Sequence, residues 1–247
     1  DAEIYKNRVY HGVGAAHKEQ ELKYGPNIAD WPKMIPMGKN VLIKAVSVIN
    51  DPVTTTDELI PSGETSSYRS NPLKLAEFAL SRKDPGYVAR AKAVKADEDI
   101  RRETGKLPEN VLKALGDFEI PEGTIYGSCV VANKPGDGSA REQAASCQRV
   151  LGGIANIAKE YATKRYRSNL INWGMLPFVA EKLHFKVGDY IYIENIVKYI
   201  TEGAEKIPAK HFSGHTVKDI ELSLGALTYD EKSIILKGCL INFNAAK

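Results

Sequence analysis

Thr124-Ile125-Tyr126-Gly127-Ser128-Cys129-Val130-Val131-Ala132 runs without a break into Asn133-Lys134-Pro135-Gly136-Asp137-Gly138-Ser139-Ala140-Arg141-Glu142. The first nine residues are apolar and partly β-branched, the pattern of a buried strand. Proline and the two glycines break that strand, and a helix is predicted from Ala140 to Leu151. Strand, glycine loop and helix in that order make a site where a helix amino terminus can meet an anion. Gly136 and Gly138 let backbone amides approach the same point without a β-carbon in the way. Ser139 and Arg141 then place a hydroxyl and a guanidinium at the positive end of the helix. Two readings of Ser139 stand side by side. With Glu142 three residues later it fits a capping box, in which the serine satisfies a free amide and the glutamate reaches back. Alternatively, free N–H groups, about half a positive charge at the helix terminus and the Arg141 cation would stabilise a serine alkoxide and let it act as a base.

Outward from this stretch the pattern repeats. Val41–Ile49 is a second buried strand, stopped by Asn50-Asp51-Pro52, and a long loop follows through Arg69. Ser70-Asn71-Pro72 offers a cap with proline at the first helical position, and apolar spacing predicts a helix continuing through Leu80. Downstream, Gly152–Ala158 reads as a strand, Ala162–Trp173 as a helix, Tyr190–Ile196 and Thr216–Leu222 as strands, and Asp230–Lys237 as a terminal helix. Alternating strands and helices predict an α/β domain with a substantially parallel sheet. Residues 84–117 are charged and Ala-rich, with helical patterns over Tyr87–Arg102 and Pro108–Leu115 but no broad apolar face, and read as a peripheral insertion. Residues 1–39, rich in Pro, Gly and Tyr, read as an extended arm crossing a surface.

Composition narrows the function classes. At 247 residues the chain fits one large domain, and its net charge of +3 is too small for a nucleic-acid footprint, though small anions remain suitable ligands. No apolar run reaches the roughly 18 residues of a membrane span, and the amino terminus has no basic-then-apolar leader pattern, so a cytoplasmic protein without a membrane partner is expected. Cys129, Cys147 and Cys239 are dispersed among apolar neighbours, which predicts buried free thiols rather than disulfides or a metal knuckle. His211 and His215, in His211-Phe212-Ser213-Gly214-His215, lack companion ligands and are assigned to an ordinary surface loop.

Taken with its neighbours, the glycine loop resembles the GxGSSRE signature of the aconitase superfamily, carried on that superfamily's swivel domain. The resemblance extends in order along the chain: Val41-Leu42-Ile43-Lys44, then Thr54-Thr55-Thr56-Asp57-Glu58-Leu59 with Ile60-Pro61-Ser62-Gly63, and later Leu151-Gly152-Gly153, Asn169-Leu170, Gly174-Met175-Leu176-Pro177 and the terminal helix. It covers about residues 40–247, with the arm at 1–39 as a linker to cluster-binding domains. It implies a three-layer β/β/α swivelling domain that supplies part of a hydro-lyase for a polycarboxylic hydroxy acid. By that resemblance Ser139 is the base, Arg141 and Arg69 anchor substrate carboxylates, and Asp57 orients active-site groups. Read from the residues alone, Arg69 is a solvated residue before a helix cap and Asp57 a turn residue.

The departures from the signature fall inside the site. The second serine of the signature is Ala140, which removes a hydroxyl from the substrate pocket, and the histidines usual after TTD and after RE are Glu58 and Gln143. The 4Fe–4S cluster of the superfamily needs three cysteine ligands that this chain does not supply. It is therefore expected in cluster-binding domains of the full enzyme, in the same polypeptide or a separate subunit. The long arm and the insertion favour a fused chain over the compact small subunit of an isopropylmalate or homoaconitate type isomerase. A free-standing anion-binding module without chemistry is the alternative from another class.

Overall fold

The computed structural model describes residues 28–246, so residues 1–27 of the expected arm lie outside the described residues. In chain order the elements are β1 (Asn40–Ile49), β2 (Thr54–Thr55), α1 (Thr56–Leu59), α2 (Ser62–Thr65), α3 (Pro72–Ala76), α4 (Tyr87–Thr104), α5 (Glu109–Ala114), β3 (Thr124–Ala132), β4 (Pro135–Asp137), α6 (Arg141–Val150), β5 (Gly153–Ala158), α7 (Lys164–Asn172), β6 (Leu176–Val179), β7 (Tyr190–Ile193), α8 (Ile196–Glu202), β8 (Ile207–Ser213), β9 (Thr216–Leu222), α9 (Tyr229–Lys237) and α10 (Leu240–Ala245). Residues 28–39 run without helix or strand along the surface, where Trp31 packs on Trp173 with ring centroids 4.5 Å apart.

Seven strands form one sheet in the order β6-β5-β3-β1-β7-β8-β9. β6, β5, β3 and β1 are parallel, as the alternation of elements predicts, but β7, β8 and β9 are antiparallel. The sheet is thus mixed rather than substantially parallel. A twisted sheet of this size curls: Val179 at the end of β6 and Ser223 just past β9 exchange two backbone hydrogen bonds, of 2.6 and 2.9 Å. The two sheet edges therefore meet, and the interior of the curl is a core of Val41, Ile43, Val131, Ile157, Phe178 and Ile191, capped by Ile196 and Ile235 from α8 and α9. The alternate residues Leu42, Tyr126, Val130 and Tyr192 point to the other face, under α3, α4, α5 and α6. Two walls of sheet and one layer of helices make the three-layer α/β domain.

The charged segment expected to be peripheral is part of this helical layer. α4 lies across β3 and β1, burying Tyr87, Ala91, Val94 and Glu98 along a narrow stripe. The Glu98 carboxylate is only 5% exposed, yet it is fully engaged: Arg101 and Arg102 pair with it, and the Tyr126 N–H donates to it at 3.1 Å. At the other end of the helix, Arg90 Nε donates 2.7 Å to the carbonyl of Val46, the residue at the β1 bulge. One tyrosine at the start, then an alanine, a valine and one satisfied acid bury the helix along a single stripe, so its sequence carries little hydrophobic signal.

Two further expectations change. The helix expected to reach Leu80 stops at Ala76, because Leu80 takes a positive φ of 55° and its N–H bonds back to the Leu59 carbonyl. The cap itself holds: Asn71 Oδ1 accepts from the Lys74 N–H, and Pro72 begins the helix. The His211–His215 stretch is a β8–β9 hairpin, in which His211 is 7% exposed and Nε2 lies 2.8 Å from the Asp189 carboxylate. No helix among the described residues is long and apolar enough to cross a membrane.

Candidate functional site

Two short strands position the glycine loop. β2 and β4 pair in parallel, Thr54 with Pro135 and Thr55 with Asp137, and each opens directly toward a helix, α1 after β2 and α6 after β4. Two helix amino termini are thereby set side by side. α1 is capped in full: Thr55 Oγ1 accepts from the Glu58 N–H at 3.1 Å, while Glu58 Oε1 accepts from the Thr55 N–H at 3.2 Å. The Thr55-x-x-Glu58 pattern carried this signal in the sequence, and it gives Glu58 a structural task, with Lys83 3.5 Å from its other oxygen.

α6 is different. Its cap is Ala140, with no side-chain hydrogen bond to the first turn. The capping-box reading of Ser139 and Glu142 fails, because the loop enters the helix one residue later than that box needs. Ser139 is exposed, and its hydroxyl has no hydrogen-bond partner among the described residues. Arg141, the first helical residue, is half-buried. It has no ion-pair partner among the described residues, and its Nε is buried without an acceptor. Ala140 turns its methyl onto the helix-side core, the surroundings of an apolar group rather than a hydroxyl.

Asp57, the second residue of α1, is exposed and accepts from both the N–H and the hydroxyl of Ser62 at 3.1 Å, with Arg82 Nη1 3.7 Å away. The two Ser62 bonds, and secondarily Arg82, hold its carboxyl below its ordinary value of 3.8. Its two bonds to Ser62 join α1 to the start of α2. Arg69 is exposed, follows a 3₁₀ turn at Ser66–Tyr68, and has no ion-pair partner among the described residues. It leads into α3, which packs on α6. Ser139, Arg141, Arg69 and Asp57 thus lie on touching elements, with no direct bond among them. Glu142, which follows Arg141 in the first turn of α6, lines a hollow with Trp31, Asn169 and Trp173.

The seat of the loop had no local signal in the sequence. A β-carbon on Gly136 would lie 2.5 Å from Tyr166 Cβ, and the Gly136 carbonyl accepts from Thr163 Oγ1 at 3.2 Å. The three thiols lie apart and buried, Cys129 on β3, Cys147 on α6 and Cys239 before α10. They cannot converge on one cluster, and no three metal-ligating side chains gather elsewhere among the described residues.

Residues 94–183 match the family model described as Aconitase C-terminal domain. The match runs from within α4 through β6 and takes in Ser139 and Arg141, but not Arg69 or Asp57. The methanogen homoaconitase small subunit of Methanocaldococcus jannaschii is 38% identical over 79 residues, 32% of this chain and 46% of that protein. The aligned stretch thus spans about half the length of that curated relative. A crystal structure of 3-isopropylmalate dehydratase from the same organism superposes with a TM-score of 0.50 at 21% identity, over 84% of this chain and 94% of that one, a likeness of fold.

Proposed function

From a chain that belongs to the aconitase superfamily, with the fold of its C-terminal swivel domain, we propose that it supplies the base and the carboxylate anchors of a hydro-lyase acting on a polycarboxylic hydroxy acid. The observation that carries this reading is the amino terminus of α6. An exposed serine without a partner precedes a ten-residue helix that no side chain caps, and the first residue of that helix is an arginine without an acid. Capping is the usual reason for a serine at this place, and here it does not apply.

In this reading Ser139 takes the proton next to a substrate carboxylate. The free amides of the first turn and the Arg141 guanidinium stabilise the alkoxide. Arg141 and Arg69 hold carboxylates through bidentate charged hydrogen bonds, each worth about 1.5–3 kcal/mol. Asp57, itself held by Ser62, orients groups at the site. The Ala140 methyl packs on the core, so at this loop Ser139 is the one hydroxyl offered to a substrate.

The thiols of this chain do not fit a 4Fe–4S cluster, so in this reading the cluster belongs to other domains of the full enzyme. A separate large subunit is favoured by the curated relative, which is named a small subunit. A fused polypeptide is the other arrangement. The chain alone should be catalytically silent toward citrate, isocitrate and isopropylmalate. Assembled with its cluster-bearing partner, Ser139→Ala should lower kcat by roughly 10²–10⁴-fold, the contribution of a general base, with substrate binding largely kept. Turnover by the isolated chain, or a near-normal rate in Ser139→Ala, overturns the proposal. The second outcome would leave an anion-binding module.

A further inference from the structure

Tyr166, on α7, is completely buried beneath the glycine loop. Its ring occupies the space where a β-carbon of Gly136 would stand, and Gly136 has the left-handed φ of 101° that only glycine adopts easily. The loop is also tied to the start of α7: the Ala162 N–H donates to the Pro135 carbonyl at 3.0 Å, and Thr163, the cap of α7, donates to the Gly136 carbonyl. Beneath the ring the Tyr166 hydroxyl donates to Asn156 Oδ1 at 2.6 Å, Asn156 Nδ2 donates to Gln148 Oε1 at 2.7 Å, and Gln148 Nε2 donates back to the Tyr166 oxygen at 2.9 Å. All three side chains are buried.

In this closed ring of hydrogen bonds each group both gives and receives, an arrangement in which the bonds strengthen one another. Phenylalanine at 166 with apolar neighbours would fill the same volume without burying polar groups. What the polar ring adds is one defined geometry. It joins β5 through Asn156, α7 through Tyr166, and α6 through Gln148. The loop rests on Tyr166 at Gly136, and α6, which begins two residues after Ser139, is held by the same tyrosine from below. Ser139 and the amides of α6 therefore share a single reference point.

We propose that Tyr166 is a positioning residue for Ser139. Its ring sets the height of the glycine loop, and its hydroxyl ties that height to the helix whose amino terminus stabilises the alkoxide. This inference rests on the reading of Ser139 as the base.

The test uses Tyr166→Phe, which keeps the ring and deletes the hydroxyl, and Gly136→Ala, which lifts the loop off the ring. Ile235→Val, a loosening of the other core, is the control for stability alone. Amide hydrogen exchange at residues 136–143 of the chain is measured first. Then kcat and KM are measured on the enzyme assembled with its cluster-bearing partner, with Ser139→Ala in parallel. Tyr166→Phe should speed exchange in the loop about tenfold and lower kcat by roughly 10- to 100-fold, the scale of a displacement near 1 Å, while KM stays within about twofold. Ile235→Val should leave kcat unchanged. Unaltered exchange in Tyr166→Phe overturns the inference, whatever Ser139 does. Faster exchange with an unchanged kcat, in an enzyme that Ser139→Ala inactivates, overturns the positioning role and spares the base. An active Ser139→Ala enzyme removes the base reading, and this inference with it.

Discussion

A β-carbon placed on Gly138 would collide with the hydroxyl of Thr56, itself the buried first residue of α1. The glycine loop and the α1 terminus are interlocked with no room for a side chain between them. Gly138 also has a φ of 135°, outside the range that other residues adopt easily. Gly138→Ala should therefore destabilise the fold by roughly 1–3 kcal/mol from backbone strain alone. Adding Thr56→Ala should recover the part due to the collision and leave the strain. Urea midpoints of the two variants separate these contributions: an unchanged midpoint in Gly138→Ala would contradict the strain, and no recovery on adding Thr56→Ala would contradict the contact.

Ser139 and Thr55 make a matched pair of substitutions. Thr55 closes a capping box, so Thr55→Ala should cost about 0.5–2 kcal/mol. Ser139 is exposed and caps nothing, so Ser139→Ala should stay within about 0.5 kcal/mol of the unaltered protein. Equal losses in thermal or urea unfolding would return Ser139 to a capping role.

Arg149, at the end of α6, donates to the carbonyls of Gly153, Ile35 and Gly238 at 3.3, 3.2 and 3.0 Å. One guanidinium thereby joins the extended segment, the start of β5 and the turn after α9. Burial is the main influence on it and lowers its pKa to about 10. Arg149→Met should cost roughly 2–4 kcal/mol, because it leaves buried carbonyls without donors. Lysine, lacking the planar fork, should not restore the loss. Proteolysis near residue 35 should accelerate in both variants.

The depressed pKa of Asp57 sets a sign for acid behaviour. A carboxyl held below its ordinary 3.8 in the folded state contributes stability that is complete above that value and fades as the pH falls through the folded pKa. Asp57→Asn should therefore be less stable than the unaltered chain near pH 6, and the gap should close below about pH 4. A gap that widens on acidification would contradict the two Ser62 hydrogen bonds.

Burial pushes the thiols of Cys129 and Cys147 up, the second to about 12. Thiolate is the reactive form. In native conditions alkylation at pH 8 should be slow for all three buried cysteines and become fast only on unfolding. A rapidly labelled thiol in the folded chain would reopen the question of a ligand role.

Much of this architecture was legible in the residues because its signals are local. The largely apolar, β-branched-rich run at 124–132 reads as a buried strand, and the proline and glycines after it end one. Asn71 before Pro72 caps a helix whatever surrounds it. α4 is not legible as a packed helix because after Tyr87 its buried stripe is Ala91, Val94 and a satisfied Glu98, which a hydrophobic count hardly distinguishes from a solvated face. The strands β6 and β8 are not legible in the residues because Leu176–Val179 and Ile207–Ser213 each include a proline, a residue that weakens a strand signal.

By itself the sequence determined the individual strands of the parallel half, the order of loop and helix around Ser139, and the placement of the Arg141 guanidinium beside its hydroxyl, since each depends on neighbours a few residues apart. Tertiary structure alone decided that the sheet curls until Val179 meets Ser223, that Ser139 caps nothing, and that Tyr166 and Thr56 support the loop on either side. Those outcomes depend on which distant surfaces exclude water together, and that is settled only when the whole chain is packed.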